Sequence, residues 1–340
     1  MQPTIIGLDL AKSVFQLHGV DGRGKTVLTK RVRRDGVLTF FANLPACVVG
    51  LEACASAHFW AREISRLGHT VRLLPPQYVK PYVKRHKNDQ ADAEAICEAV
   101  QRPSMRFVPM KSEEQQSTLV VHRVRETLVR QKTPLINALR GHLAEFGIVA
   151  PQGAPKVAQL TMRLADPGDE AVPAAAKTVL QVLVEQLRET ERRIADLDAQ
   201  LGEQAKRDET CRRLLTIPGI GPIVATALVA TIGDAQTFTS GRHLAAWLGL
   251  VPRQNSSGGK ERLGGISKAG DGYRRRMLVH GARAVLRWWR TSSPWLARLL
   301  GRRPITVAVV ALANKTARIA WAVMTRGETY RRPEPGPAAP

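Results

Sequence analysis

The sequence predicts an N-terminal α/β domain on a mixed sheet, a long helical region, and a mainly α C-terminal domain. Three observations predict it: short apolar runs parted by turn residues from Thr4 to Leu74, helical periodicity from Lys111 onward, and a glycine-punctuated turn near Gly219 between two helical patterns. Thr4 to Asp9 is an apolar run closed by an acid, Val14 to Val20 is a second, and Asp21-Gly22-Arg23-Gly24 turns the chain into a third, Lys25 to Val32. The chain therefore opens as a three-stranded meander. A helical stretch at Val37 to Leu44 follows, then a buried strand at Cys47 to Glu52, a helix near His58 to Leu67, a strand at Val71 to Leu74 and a helix starting near Asp89. This β-β-β-α-β-α-β-α order is that of the ribonuclease-H-like fold, a mixed sheet with helices on its faces.

Beyond the sheet, Leu180, Leu187, Ile194 and Leu201 recur every seven residues, with Leu183 and Leu197 interleaved. Two readings fit, a coiled-coil seam between chains or one long helix packed inside its own domain. The stretch from Gln152 to Gly168, with prolines at 155 and 167, reads as a linker. The expected division is 1–110 for the sheet domain, 111–210 for the helical region, 211–330 for the C-terminal domain and 331–340, with four prolines, for a disordered tail.

A chain of 340 residues with 44% apolar and 24% charged residues is neither a small stapled module nor a disordered or fibrous protein. Lysine and arginine number 51 against 29 acids, a formal net charge of +22, so nucleic acid is the expected partner. Half of that excess falls between Arg253 and Arg303, where 13 basic residues face Glu261 and Asp271. Cys47, Cys54, Cys97 and Cys211 show neither a C-x-x-C pair nor zinc-ligand spacing, and they read as reduced cytosolic thiols. The longest apolar runs, Ile223 to Ile232 and Ile305 to Ala313, fall short of the ~18 residues of a membrane span, so no membrane partner is expected.

The candidate chemistry lies in two places. Asp9 and Glu52 end strands, and Asp89 and Asp92 share one face at the start of a helix. In the predicted fold these ends converge, and clustered carboxylates with room for waters and phosphate oxygens are what Mg²⁺ accepts. Taken singly, each acid has an ordinary reading as a solvated strand end or a helix cap. The second place is Gly249 to Lys260, a polar glycine-rich loop in which Ser256 or Ser257 is a nucleophile only if a metal or another subunit activates it; serine and glycine also simply dominate turns. Gly219 and Gly221, in Ile217-Pro218-Gly219-Ile220-Gly221, form a helix-hairpin-helix signature that brings backbone N–H groups to a DNA phosphate, or else a tight turn made for packing. Arg253, Lys260 and Lys268 flank the loop, and Arg274, Arg275 and Arg276, then Arg283, Arg287 and Arg290, form a phosphate-contacting stripe beside Trp288 and Trp289.

Five marks in order resemble the DEDD transposases of insertion sequences, the bridge-RNA-guided serine recombinases. They are Ile6-Gly7-Leu8-Asp9-Leu10-Ala11-Lys12, Glu52-Ala53-Cys54-Ala55-Ser56-Ala57-His58, Lys87-Asn88-Asp89-Gln90-Ala91-Asp92-Ala93, the Gly219 turn, and Ser256-Ser257-Gly258-Gly259 followed by Ile266-Ser267-Lys268-Ala269-Gly270. The resemblance implies a RuvC-like domain whose Asp9, Glu52, Asp89 and Asp92 hold Mg²⁺, and a coiled-coil linker for assembly. It further implies a C-terminal transposase domain whose Ser257, with Ser256 as fallback, forms a covalent phosphoserine link to DNA. It also implies a dimer or tetramer, a structured guide RNA pairing with donor and target DNA, and a bacterial cytoplasmic, nucleoid-associated location. Ala55 departs from the glycine common there. The rivals are a Mg²⁺-dependent junction-resolving nuclease that uses water and a non-catalytic nucleic-acid-binding protein.

Overall fold

The computed structural model describes residues 2–84, 88–151, 153–166, 168–289 and 293–331. Lys87, Gln152, Pro167, Arg290, the tail at 332–340 and the side chains of Trp288 and Trp289 lie outside the described residues. The chain divides into two compact units, 1–113 and 114–340.

The first unit holds β1 (Ile5–Asp9), β2 (Val14–Val20), β3 (Thr26–Arg33), α1 (Val37–Ala42), β4 (Val48–Glu52), α2 (Ala57–Arg66), β5 (Thr70–Leu74), α3 (Pro76–Val79) and α4 (Asp89–Val100). The five strands form one mixed sheet in the order β3-β2-β1-β4-β5, with β1, β4 and β5 parallel and β2 antiparallel to both of its neighbours. Side chains alternate across a strand, and here the alternation sorts them between two layers. Ile6, Leu8, Val49 and Leu51 pack with Phe41, Trp60 and Ile64 of α1 and α2. Ile5 and Val48 turn instead to a second cluster with Ile96 and Val100 of α4.

The second unit holds α5 (Glu113–Ala144, starting at the boundary), α6 (Ala154–Ala165), α7 (Ala174–Arg207), α8 (Glu209–Leu215), α9 (Pro222–Ile232) and α10 (Gly241–Trp247), then a hairpin of β6 (Pro252–Gln254) and β7 (Leu263–Ile266), and finally α11 (Gly272–Trp289), α12 (Pro294–Leu300) and α13 (Ile305–Arg326). Two expectations change here. The supposed linker contains α6, because a proline in the first turn of a helix removes only an N–H that has no intrahelical acceptor; Val157, Leu160 and Leu164 of α6 are buried against α5 and α7. The apolar run from Ile305 continues as a 22-residue helix long and apolar enough for a bilayer, yet Ala308, Leu312, Ala313, Ala317 and Ala320 of that helix are buried in the core. On α7, Leu180, Val184 and Leu187 pack inside the chain against Leu139 and Leu143, so that part of the heptad seam is intramolecular.

One buried polar network ties α5 to α9 and α11. Thr226 donates its hydroxyl proton to the Pro222 carbonyl at 2.8 Å, so His122 Nε2–H, 3.1 Å away, donates to Thr226, and Nδ1 accepts from the Tyr273 hydroxyl at 3.0 Å. Burial, with Arg125 and Arg274 nearby, pushes the His122 imidazole down to about 4, which keeps it neutral in this role.

Candidate active site

The carboxylates are placed by strand parity and one close helix approach. Residues 5, 7 and 9 of β1 and 48, 50 and 52 of β4 face α4, and Leu8 pairs with Leu51, so Asp9 and Glu52 stand side by side at the carboxyl ends of adjacent parallel strands. Gly7 lets α4 settle directly on β1, because a Cβ there would lie 2.2 Å from the Ala93 carbonyl oxygen and 2.4 Å from the Cys97 nitrogen. Since Ala93 lies over Gly7, the preceding turn of α4, with Asp89 and Asp92, lies over Asp9. Asn88 caps this helix by accepting from Ala91 N at 2.9 Å, so neither aspartate is the cap.

The electrostatics follow from that geometry. Burial, then the charges of Asp92, Asp89 and Glu52, raise the Asp9 carboxyl to about 6. All four acids thus share one field, although no three side chains among the described residues close into a coordination shell. Four mutually repelling carboxylates, one of them driven toward neutrality, suit a divalent cation, since hard oxygen donors with few protein contacts match Mg²⁺. At the departure from the family pattern, the left-handed residue is Ser56 (φ 69°) and not Ala55, so alanine fits there without strain.

Gly7→Ala is expected to destabilise the first unit by about 1–3 kcal/mol through overpacking, because the obstructing atoms are backbone. Gly22→Ala, with open space around it, should change the melting temperature little. Calorimetric melting of the two variants checks this, and equal melting temperatures would disprove the close approach.

Ser256 and Ser257 lie at the tip of the β6–β7 hairpin, an element that the polar composition of the loop conceals. Gly258 (φ 56°) and Gly259 (φ 76°) form its two-residue turn, closed by Lys260 N to Ser257 O at 3.0 Å. Two consecutive left-handed residues match the twist of a hairpin, and glycine adopts them freely. Ser256 Oγ accepts from Arg262 N at 3.1 Å and is a structural group of the turn. The Ser257 side chain is exposed and has no hydrogen-bond partner among the described residues.

The base of the hairpin is tightly held. A Cβ on Gly270 would lie 2.2 Å from the Trp247 carbonyl oxygen, and Arg275 donates to the carbonyls of Leu248 and Ala269 at 3.1 and 2.8 Å. Arg274 pairs with Asp271 at 2.7 Å and donates to Thr231, while Arg276 pairs with Glu126. The first three arginines of the expected stripe, Arg274, Arg275 and Arg276, therefore have partners inside the unit, whereas Arg283 and Arg287 of the stripe are exposed, as are Arg253, Lys260 and Lys268. Gly219 packs on α11, where a Cβ on Gly281 would meet the Gly219 oxygen at 1.9 Å, and Gly221 is the N-cap of α9 with open space beside it.

Residues 6–148 match a family model described as a transposase, of the DEDD type of IS110, and residues 211–298 match the model described as the transposase IS116/IS110/IS902 family. A probable family 20 transposase of Pseudomonas aeruginosa is 53% identical, covering 96% of this chain and 98% of that protein. The transposase for insertion sequence element IS1111A of Coxiella burnetii is 44% identical over 96% and 91% of the two chains. That for IS1328 of Yersinia enterocolitica is 43% identical over 97% and 99%.

Proposed function

Because the chain belongs to the IS116/IS110/IS902 transposase family and is a transposase of an insertion sequence, we propose that it cuts and rejoins DNA through a phosphoserine link at Ser257. The reading also takes the first unit as RuvC-like, on its 3-2-1-4-5 strand order, and its Asp9, Glu52, Asp89 and Asp92 as the holders of Mg²⁺. The observation that supports it is that Asp9 and Glu52 end adjacent parallel strands and that the charges of Glu52, Asp89 and Asp92, far apart in sequence, all act on Asp9.

The proposed chemistry balances within the chain and its DNA. Ser257 Oγ attacks a backbone phosphorus, the new O–P bond replaces a P–O bond of the strand, and the leaving oxygen departs as a hydroxyl. A hydroxyl of another strand then attacks the phosphoserine, restores a phosphodiester and frees the serine, so the bond energy is conserved without ATP. Mg²⁺, when bound by the carboxylates, would lower the pKa of a nearby hydroxyl and offset charge on the reacting phosphate. The β6–β7 turn presents Ser257, while Arg253, Lys260 and Lys268 supply cations for the flanking phosphates. Further parts of the reading come from the family resemblance: Ser257 of one subunit works with the acids of another in a dimer or tetramer, and a structured guide RNA selects donor and target by pairing.

The experiment is to quench the protein with its own insertion-sequence ends in denaturant, digest with protease and nuclease, and map the nucleotide-bearing peptide by mass spectrometry. The modified residue is expected to be Ser257. DNA cleaved with no attached protein would instead establish a water-using nuclease.

A further inference from the structure

A second feature lies at the same end of the sheet, outside the carboxylate cluster. A cleft of about 720 Å³ is lined by Lys12, Arg33, Arg34, Phe59 and Trp60 among others, with Asp35 its only acid. Lys12 lies in the β1–β2 turn three residues after Asp9. Arg33 ends β3, which runs parallel to β1, and Phe59 lies in the first turn of α2, just beyond Glu52. The walls of the cleft and two of the four acids, Asp9 and Glu52, thus grow from the same end of the sheet.

The aromatic groups form a short ladder that stops at the surface. Phe15 and Trp60 meet edge to face at 5.0 Å, Trp60 and Phe59 do so at 5.2 Å, and the Arg34 guanidinium lies 5.1 Å from the Trp60 ring centre. The inner rings are buried, whereas Phe59 is 44% exposed. Trp60, only 4% exposed, keeps an indole Nε1–H with no acceptor among the described residues, an uncommon state for a buried donor. Lys12 and Arg33 are exposed and have no ion pair among the described residues.

An exposed ring at the end of a ladder, with free cations beside it, matches one ligand chemistry: a nucleobase stacked on Phe59 with its phosphates on Lys12 and Arg33. In a duplex both faces of each base are already covered by stacking, so the occupant is an unpaired base. Resting on the reading of the carboxylates as the DNA-processing centre, we infer that this cleft holds an unpaired nucleotide of the DNA strand that passes the four acids. The strand is taken as DNA because Lys12 and Phe59 follow Asp9 and Glu52 in the loops and first turn that leave the same two strand ends, and a protein partner is disfavoured by the small apolar area beside two unpaired cations.

The test irradiates the full-length protein with a short single-stranded deoxyoligonucleotide bearing 5-iododeoxyuridine and maps the crosslinked peptide, with the uridine oligoribonucleotide run in parallel. The crosslink is expected on the peptide containing Phe59 and Trp60. Its yield should fall roughly 5- to 100-fold in Phe59→Ala and survive in Phe59→Tyr, and Lys12→Gln should reduce the log–log salt slope of its yield by about 0.7. Crosslinks confined to the C-terminal unit, an unchanged yield in Phe59→Ala, or labelling of this peptide by RNA but not by DNA would each overturn the inference. The phosphoserine adduct is read on the same protein preparations supplied in parallel with the insertion-sequence ends: its absence there beside an intact crosslink sinks the proposed mechanism alone, and a missing crosslink beside an intact adduct sinks the cleft alone.

Discussion

Under the proposed mechanism, Ser257→Ala is expected to abolish both the covalent protein–DNA adduct and strand exchange, a loss of several orders of magnitude, whereas Ser256→Ala should keep both within a few-fold of wild type. The contrast follows from the turn. Ser256 Oγ accepts the Arg262 N–H, a structural task whose loss costs about 1 kcal/mol at an exposed site. Ser257 Oγ has no such task among the described residues, so in the proposed mechanism it is the hydroxyl left to attack the phosphate. Denaturing gels of quenched reactions read the adduct, and a product assay on paired donor and target duplexes reads exchange. The neighbouring substitutions report on the base of the hairpin: Gly270→Ala, which drives a Cβ toward the Trp247 carbonyl oxygen, should lower the adduct yield through misplacement of Ser257 although it touches no DNA. Full activity in Ser257→Ala would remove the serine mechanism and leave a hydrolytic one.

Much of the first unit was legible in the sequence because its signals are local. Apolar alternation and the Asp21-Gly22-Arg23-Gly24 turn define the meander, and each observed strand lies within one or two residues of its expected run. The meeting of the four acids was readable only through strand order, and its cause, the bare Cα of Gly7 beneath α4, is a contact across some ninety residues that no local pattern encodes. The C-terminal unit was harder for the same reason. A run such as Arg274-Arg275-Arg276 looks identical in sequence whether it faces phosphate or, as here, Asp271, backbone carbonyls and Glu126. The hairpin under Ser257 was concealed because its strands are three and four residues long and almost wholly exposed, so no apolar alternation marks them. Pro155 misled toward a linker because proline both starts and breaks helices, and only position tells which.

Asp9→Asn should separate stability from activity. In the metal-free protein the Asp9 carboxyl is raised to about 6 by burial and by three neighbouring acids. A carboxyl whose folded pKa lies above its unfolded value favours folding below about 4, and that contribution is lost as pH rises through about 6. At neutral pH the ionised group therefore opposes folding, by about 1–2 kcal/mol once solvent screening at this half-buried position is allowed for. Asparagine keeps the shape and removes the charge, so metal-free Asp9→Asn should melt higher than metal-free wild type at pH 7.5 and no higher at pH 4. Activity should move the opposite way, with Mg²⁺ uptake by calorimetry and adduct formation both lost, because the strand-end oxygen donor that feels the charges of the other three acids has lost its own charge. In wild type, Mg²⁺ affinity should fall about tenfold per pH unit below 6, since a cation must then displace the Asp9 proton. A variant that melts lower than wild type at both pH values, or one that still takes up Mg²⁺ normally, would mean that Asp9 is an ordinary solvated strand end.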